Sequence, residues 1–234
     1  MFGWKPANRG KTNRMVEMSG AYDGGATGEM SGIVAVTRIA TSLGWREAGA
    51  IQAGDMVLTF DGGLQRVVQV TRRKLWAGDG PVPERFWPLM VPAGAIENAV
   101  AMMILPRQGV MLESDLAEEA LGDPFALIAA AALEGGRGVE RVCPNDPVEV
   151  ISLQFDADQV IFAEHGALLF CPAGGDLVQK AMQGAAQHCP YRMLPESCAL
   201  ELVHGATPDA DLESCLMALR SDRAESAQGR PMAA

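Results

Sequence analysis

Apolar and β-branched residues are concentrated between residues 31 and 73, and this pattern predicts several strands in succession. Val34 to Ala40 is rich in β-branched side chains, which favour the pleated, half-buried surface of a strand. Gly44-Trp45-Arg46 and Ala53-Gly54-Asp55 interrupt the apolar pattern and indicate turns. The stretch therefore predicts a β unit in which the chain reverses direction several times.

A hairpin is the clearest element of this stretch. Met56 to Phe60 runs apolar into Asp61-Gly62-Gly63, where glycine supplies the positive φ that a tight turn needs. Leu64 to Val70 is predicted to carry the chain back as the second strand of the hairpin.

Further apolar segments predict more strands after an exposed loop at Lys74 to Arg85. Phe86 to Pro92 returns to the core, and Met102 to Leu105 is followed by Val110 to Leu112. Pro106 lies between the last two segments, and proline cannot donate to a strand ladder. We therefore expect an edge position or a bend at Pro106.

A second hairpin is predicted near the end of the β-rich region. Val148 to Phe155 and Gln159 to Ala163 are its strands, and Asp156-Ala157-Asp158 between them has the composition of a turn.

Helical patterns occur after the first strands and towards the C-terminus. Ser114 to Leu121 has a serine at the N-cap position and is followed by Gly122 as a stop signal. The alanines of Ala126 to Leu133 favour a second helix. Asp176 to Gln187 and Asp211 to Arg220 are amphipathic candidates, which we expect either to cover a sheet edge or to contact a partner.

Composition limits the classes of function. The chain has 234 residues, of which 48% are hydrophobic, so it can build one domain with appendages. Its net charge of −10 argues against nucleic acid as a partner, because phosphates would be repelled. No apolar run is long enough to span a membrane. Metal-ligand spacing and phosphate-binding loops are missing, so we expect no metal and no cofactor.

The N-terminal residues and the cysteines bear on location. Residues 1 to 30 are polar and glycine-rich without an apolar signal core, which argues against Sec-dependent export. The odd number of cysteines favours reduced thiols and a cytoplasmic protein, with secretion by a non-classical route as the alternative. These cysteines are Cys143, Cys171, Cys189, Cys198 and Cys215.

One set of residues resembles the signature T-R-I-x-T … G-D-x-V-L-T-x-D-G-G-x-Q of bacterial Hint domains, the fold shared by hedgehog autoprocessing domains and inteins. The matching residues are Thr37-Arg38-Ile39-Ala40-Thr41, Gly44-Trp45, Ile51, Gly54-Asp55, Val57-Leu58-Thr59, Asp61-Gly62-Gly63 and Gln65. The resemblance extends more weakly to Pro172.

The resemblance implies a mainly β, pseudo-two-fold Hint-like fold with a helical insertion near residues 114 to 133, and the helical patterns after Pro172 add a helical C-terminal appendage. Leu153-Gln154-Phe155-Asp156 echoes Leu58-Thr59-Phe60-Asp61, as a pseudo-two-fold fold would allow. We divide the chain into a flexible arm (1–30), a Hint-like domain (31–172), and a helical appendage with a disordered tail (173–234).

The resemblance also locates the catalytic positions, and they are degenerate. Family members use a Cys or Ser that attacks its preceding carbonyl; counting back five residues from Thr37 reaches Gly32, and Ser31 is one residue early. Ser31 is either a shifted nucleophile or an ordinary linker residue, and Thr37 is either a nucleophile or a strand residue. A family histidine that protonates the leaving amine corresponds to Gln108, in Pro106-Arg107-Gln108.

Two other residues invite a catalytic interpretation. His165 beside Glu164 is either an acid–base pair or an ordinary hydrogen-bonded or exposed histidine. Cys171 is either a reactive thiol or a small buried apolar side chain.

We therefore expect an interaction or structural module that contacts a protein partner and does not process itself, with Ser31, Thr37 and Gln108 as the degenerate site positions. The alternative is slow self-cleavage between Met30 and Ser31 or between Ser31 and Gly32. Whether the chain is an enzyme is left open by the sequence.

Overall fold

The computed structural model describes residues 30–76, 83–174 and 191–205. Antiparallel strands dominate these ranges, and helices are few. The strands are β1 (Ile33–Val34), β2 (Arg38–Thr41), β3 (Gly44–Glu47), β4 (Met56–Thr59), β5 (Gly63–Arg66), β6 (Gln69–Leu75), β7 (Leu89–Val91), β8 (Met102–Ile104), β9 (Gly109–Glu113), β10 (Phe125–Ala129), β11 (Glu140–Arg141), β12 (Val148–Gln154), β13 (Gln159–Ala163) and β14 (Ala167–Cys171). The α-helices are Asp115–Leu121 and Glu196–His204, and the 3-10 helices are Ala48–Ala50, Glu84–Phe86 and Ala130–Leu133.

These strands form two sheets. The six-stranded sheet has the order β11-β7-β8-β1-β12-β6. The eight-stranded sheet has the order β10-β9-β14-β13-β2-β4-β5, with β3 paired to β2. The longest pairing joins β6 to β12 and runs from Leu75 opposite Val148 to Gln69 opposite Gln154. The protein is therefore a mainly β fold, as the sequence predicts.

The main core takes side chains from both sheets. Fully buried aliphatic residues of this core include Ile39, Val57 and Ile161 from the eight-stranded sheet and Leu89 and Ile151 from the other. Each such side chain contributes about 1.5 to 3 kcal/mol when it leaves water. Because one core is shared by both sheets, the points where the chain crosses between them are held in place.

The first predicted hairpin is present. Met56–Thr59 pairs with Gly63–Arg66, and Gly63 at its turn has φ +62°. The returning strand ends earlier than predicted, however. Val67 N–H still donates to Asp55 O (2.9 Å), beside the eight-stranded sheet, but Val68 N–H donates to Gln154 O in the six-stranded sheet. Leu64 to Val70 is therefore two strands in two sheets.

The predicted strand from Val34 to Ala40 is also divided between the sheets. Thr37 N–H donates to Val34 O at 2.9 Å, and the resulting bend carries the chain from β1 to β2. The turn predicted at Gly44-Trp45-Arg46 is wrong, because Gly44–Glu47 forms a strand paired with Arg38–Thr41. The turn predicted at Ala53-Gly54 is confirmed.

The second predicted hairpin has the right strands but the wrong pairing. Val148–Gln154 belongs to the six-stranded sheet and Gln159–Ala163 to the other, so the residues between them form a crossover. The partner of Gln159–Ala163 is Ala167–Cys171. Leu58 to Asp61 therefore leads into a hairpin turn, whereas the similar sequence Leu153 to Asp156 leads into a crossover between the sheets. The two similar sequences occupy different structural positions.

The first predicted helix is confirmed, whereas the second is wrong. Asp115–Leu121 is helical and ends at Gly122, whose φ is +70°, although the Ser114 side chain makes no capping bond. The segment predicted as a helix from Ala126 to Leu133 is the strand Phe125–Ala129 followed by a 3-10 helix. Pairing with β9 and burial of this apolar run override the helix propensity of alanine.

The segments around the prolines follow the prediction in part. The loop predicted from Lys74 to Arg85 begins later, because Lys74 and Leu75 belong to β6; residues 77–82 lie outside the described ranges. The bend at Pro106 is confirmed, and it carries the chain from β8 in one sheet to β9 in the other.

Residues 191–205 extend the eight-stranded sheet. Leu194 N–H donates to Leu127 O at 2.8 Å, and Met193 lies beside Leu127, so this segment covers the edge strand β10. The helix Glu196–His204 places Cys198 in the main core. The predicted helices at 176–187 and 211–220 and the arm at 1–29 lie outside the described ranges, and the domain boundaries stay a prediction.

The cysteines differ from the expectation that all five are reduced. Cys198 is disulfide-bonded, while Cys143 and Cys171 are free. The cytoplasmic location stays a prediction. The helices of the described residues are all too short or too polar to span a bilayer.

Candidate functional site

Gly32, the position at which the resemblance expects a nucleophile, precedes β1 and faces β12. Its φ is +126°, a conformation that residues with a side chain rarely adopt. A β-carbon at Gly32 would lie 2.6 Å from Val150 Cγ1 and 3.3 Å from the backbone oxygen of Ile151. Val150 therefore fills the space into which a nucleophilic side chain would project.

Gln108 lies at the crossing between β8 and β9, and it holds three segments together. Its Oε1 accepts a hydrogen bond from Gly32 N–H at 2.9 Å. Its Nε2 donates to Phe170 O at 2.7 Å and to Gly109 O at 3.0 Å. The side chain is only 3% exposed. Gln108 thus joins the segment before β1 to the beginning of β9 and the end of β14.

Local backbone bonds bring these segments together. Arg107 N–H donates to Met30 O at 3.0 Å, so the residues before Gly32 run beside the turn at Pro106. Gln108 N–H donates to Leu105 O, which closes that turn and directs the glutamine side chain inward. Ser31 is half-buried and Met30 is buried at this crossing.

The chemistry of this arrangement is that of a satisfied amide. A glutamine offers one acceptor oxygen and one donor NH₂, and all of these groups are engaged by Gly32, Gly109 and Phe170. Glutamine has no proton to release near neutral pH. Gln108 therefore binds the Ser31–Gly32 peptide from its N–H side without being able to protonate its nitrogen.

Thr37 is buried, but it is not a strand residue as predicted. It lies in the bend between β1 and β2, where its N–H donates to Val34 O and its carbonyl accepts from Ala48 N–H at 2.8 Å. Of the three predicted site residues, Ser31 directly precedes Gly32, and Gln108 accepts a hydrogen bond from Gly32 N–H. Thr37 belongs to the bend that leads into the eight-stranded sheet.

Sequence reasoning missed the residues that contact the site around Gly32 but lie far from it along the chain. Val150 and Ser152 of β12 approach it, with Ser152 Oγ 3.4 Å from the position of an added β-carbon. The carbonyl of Phe170 completes the bonding of Gln108. No local pattern connects these residues with residue 32, since more than a hundred residues of sequence lie between them.

Cys171 is a buried apolar side chain, so the interpretation as a reactive thiol is wrong. It is free and lies in the main core. Burial raises the pKa of its thiol to about 12, because desolvation disfavours the thiolate. The nucleophilic form is therefore scarce at neutral pH.

Glu164 and His165 are engaged by different partners. Glu164 is buried, and its Oε1 accepts a hydrogen bond from Arg38 N–H at 2.7 Å. His165 is exposed and stacks on Trp45 with 4.1 Å between ring centroids. The Glu164 carboxylate bonds to the start of β2, and the His165 ring packs on the Trp45 ring. The geometry therefore favours structural roles for both residues over an acid–base pair.

A cavity of about 30 Å³ is lined by Glu97, Glu113, Arg137 and Gly166 among others. A cavity of this size holds one or two water molecules. Within the described ranges, no three His, Cys, Asp or Glu side chains are grouped so as to hold a metal ion.

Comparison with known proteins identifies a family. The model of the Hint domain matches residues 32–168. No curated protein matches the chain.

Solved structures with a similar fold include inteins and an intein-like domain. The bacterial intein-like domain from Clostridium thermocellum is 17% identical, with 61% of this chain and 99% of that chain covered and a TM-score of 0.43. The MchDnaB-1 intein is 18% identical, with coverage of 60% and 99% and a TM-score of 0.41. A splice-inactive variant of the AceL NrdHF class 3 split intein is 13% identical, with coverage of 62% and 99% and a TM-score of 0.39.

Proposed function

The chain belongs to the Hint domain family, and on that premise we propose that it is an interaction or structural module that contacts a protein partner and does not process itself. The observation that carries this proposal is the bonding of Gln108. Where Hint autoprocessing needs a group that protonates the leaving amine, Gln108 Oε1 accepts a hydrogen bond from Gly32 N–H at 2.9 Å. Glutamine does not titrate near neutral pH, so Gln108 cannot supply a proton to this nitrogen.

The nucleophile position supports the same proposal. Self-cleavage by an acyl shift needs a hydroxyl or thiol on the residue that follows the scissile carbonyl. Gly32 has no side chain, and Val150 Cγ1 stands 2.6 Å from where a β-carbon would be. Loss of the nucleophile is thus accompanied by loss of the space for it.

The scaffold around these positions retains its bonding. Gln108 is buried with every polar group of its side chain satisfied, and such networks stabilise a unique arrangement of the segments that they join. A fold that keeps its core without the chemistry is suited to presenting a surface to a partner, since function depends on the site more than on the fold.

A second candidate function is slow self-cleavage next to Ser31. The observation that favours it is the position of Ser31, a half-buried hydroxyl side chain directly before Gly32 and next to the bond that such a reaction would break. General acid–base catalysis typically contributes about 10²- to 10⁴-fold to a rate. Without a titratable group at residue 108, this cleavage is expected to be slower by roughly that factor.

Intact mass spectrometry separates the two functions. The purified full-length chain is incubated for days at neutral pH, with and without a thiol or hydroxylamine, beside the variant Ser31→Ala. We expect one unchanged mass in all samples. A fragment that begins at Ser31 or Gly32, and that Ser31→Ala abolishes, would overturn the proposal in favour of self-cleavage.

A further inference from the structure

The strand β6 (Gln69–Leu75) forms one border of the six-stranded sheet. All seven of its residues face β12 on one side. On its other side no strand of the described residues pairs with it. In an antiparallel ladder alternate residues direct their N–H and C=O groups away from the partner strand. The outer side of β6, which we call the β6 edge, therefore presents backbone donors and acceptors to a further strand.

The charge of this strand is opposite to that of the protein. The whole chain has 29 acidic and 19 basic residues, yet residues 62–76 contain no acid. Arg72, Arg73 and Lys74 are consecutive and exposed on β6, and Arg66 is exposed just before it. The β6 edge is thus a basic strip on an acidic molecule.

Most of this positive charge is not neutralised within the described part of the protein. Arg72 donates to the carbonyls of Gly49 and Ile51 at 3.2 and 2.8 Å, and these bonds leave its charge uncompensated. The ion pairs of the described residues involve Arg46 and Arg141, not these side chains. Glu149, the one acid of β12, lies opposite Lys74 without forming an ion pair.

We propose that the β6 edge binds an extended acidic segment of a partner protein, which adds as a further strand to the six-stranded sheet. The inference rests on the proposed function, because it supplies the surface that an interaction module needs. Side chains alternate along a strand, so Arg72 and Lys74 lie on one face and Arg73 on the other. Acidic side chains on either face of the added strand therefore meet a cation, as favourable cross-strand pairs require.

A peptide fits this surface better than a nucleic acid does. Strand addition satisfies backbone groups that phosphates cannot satisfy in register, and it gives affinity through main-chain hydrogen bonds. A net charge of −10 repels a long polyanion beyond the basic strip, whereas a short acidic segment contacts the strip alone.

Fluorescence anisotropy on the full chain tests the proposal. The probe is a short peptide of alternating glutamate and valine with a neutral fluorophore. Its controls are the same peptide N-methylated on alternate backbone amides, which keeps the charge but blocks strand pairing, the lysine–valine counterpart, and a single-stranded oligonucleotide of equal charge. We expect only the unmodified acidic peptide to bind, and we expect binding to weaken as salt is added.

Charge-reversal variants locate the binding site. Arg73→Glu is expected to weaken binding by at least about fivefold, since it replaces an attractive charge pair with a repulsive one. Arg107→Glu reverses an exposed charge at the turn before β9 and is expected to leave binding unchanged. Far-ultraviolet circular dichroism verifies that both variants are folded.

Each result decides the matter. Absence of acidic-peptide binding, or an equal effect of both variants, overturns the proposal. If the N-methylated peptide or the oligonucleotide binds as tightly as the unmodified acidic peptide, the strip is a general polyanion site. This result also overturns the proposal. Intact mass is measured on the same sample. An unchanged mass without peptide binding refutes only binding at the β6 edge. A cleaved mass refutes the proposed function as an interaction module.

Discussion

Val150 Cγ1 lies 2.6 Å from the point at which a β-carbon on Gly32 would stand. Real β-carbons do not approach other atoms so closely, so Val150 leaves no room for a side chain at residue 32. Gly32 is consequently in close contact with β12 just before β1 begins.

Substitution of Gly32 by alanine is expected to destabilise the protein. The new methyl group meets Val150, which costs about 1 to 3 kcal/mol as overpacking, and φ of +126° adds about 1 to 3 kcal/mol of backbone strain. Urea denaturation measures the loss. In Gly32→Ala/Val150→Ala the steric part should be relieved, so the combined loss should be smaller than the sum of the two single losses.

A control for this substitution is present at the hairpin turn. Gly63 also has a positive φ, of +62°, but an added β-carbon there meets no atom within 4 Å. Gly63→Ala should therefore cost only the backbone part, about 1 kcal/mol. Equal losses for the two alanine variants would contradict the steric role of Val150.

Replacement of Gln108 by alanine is expected to lower the free energy of unfolding by about 1 to 3 kcal/mol. The change leaves Gly32 N–H and Phe170 O without their partner in a part-buried place, and an unsatisfied group that is shielded from water costs about that much. Denaturant titration is the measurement. Gln65→Ala removes an exposed bond to Gly62 O and should cost less than half as much; a similar loss in both variants would argue against Gln108 as a structural link.

The two free cysteines of the described ranges should differ in their reaction with a thiol reagent. At about pH 8 a thiol of pKa about 12 is ionised in roughly one molecule in ten thousand. Exposed Cys143 is expected to react at once in the native protein, whereas buried Cys171 should react only on unfolding. Mass spectrometry of the modified peptides identifies the site, and rapid native labelling of Cys171 would show that its burial is incomplete.

The raised pKa of Cys171 also predicts an alkaline loss of stability. The folded state holds the thiol proton more tightly than the unfolded state, whose pKa is near 9.0. The contribution of the protonated Cys171 thiol to the free energy of unfolding is complete below about pH 9. It is lost as the pH rises from there towards about 12, at up to about 1.4 kcal/mol per pH unit. Cys171→Ala removes this contribution, so the difference between wild-type and variant unfolding curves should grow smaller at alkaline pH. A constant difference would exclude the linkage.

The sequence alone determined the elements that depend on local chemistry. The hairpin from Met56 to Arg66, the helix that ends at Gly122 and the bend at Pro106 follow from glycine, proline and apolar spacing, which act within a few residues. The resemblance to Hint domains also pointed to Gly32 and Gln108, which a hydrogen bond from Gly32 N–H to Gln108 Oε1 joins; their role as site positions stays a prediction.

Only the tertiary structure decided which strands pair and what surrounds the site. Val148–Gln154 and Gln159–Ala163 read as a hairpin, yet the shared core draws them into different sheets. Ala126 to Leu133 has helical composition, but pairing with β9 and burial make its first part a strand. Val150 and Phe170 reach Gly32 and Gln108 only through such long-range pairing. Local propensities amount to tenths of a kcal/mol per residue, whereas burial of one aliphatic side chain contributes several times more, so packing outweighs pattern wherever the two conflict.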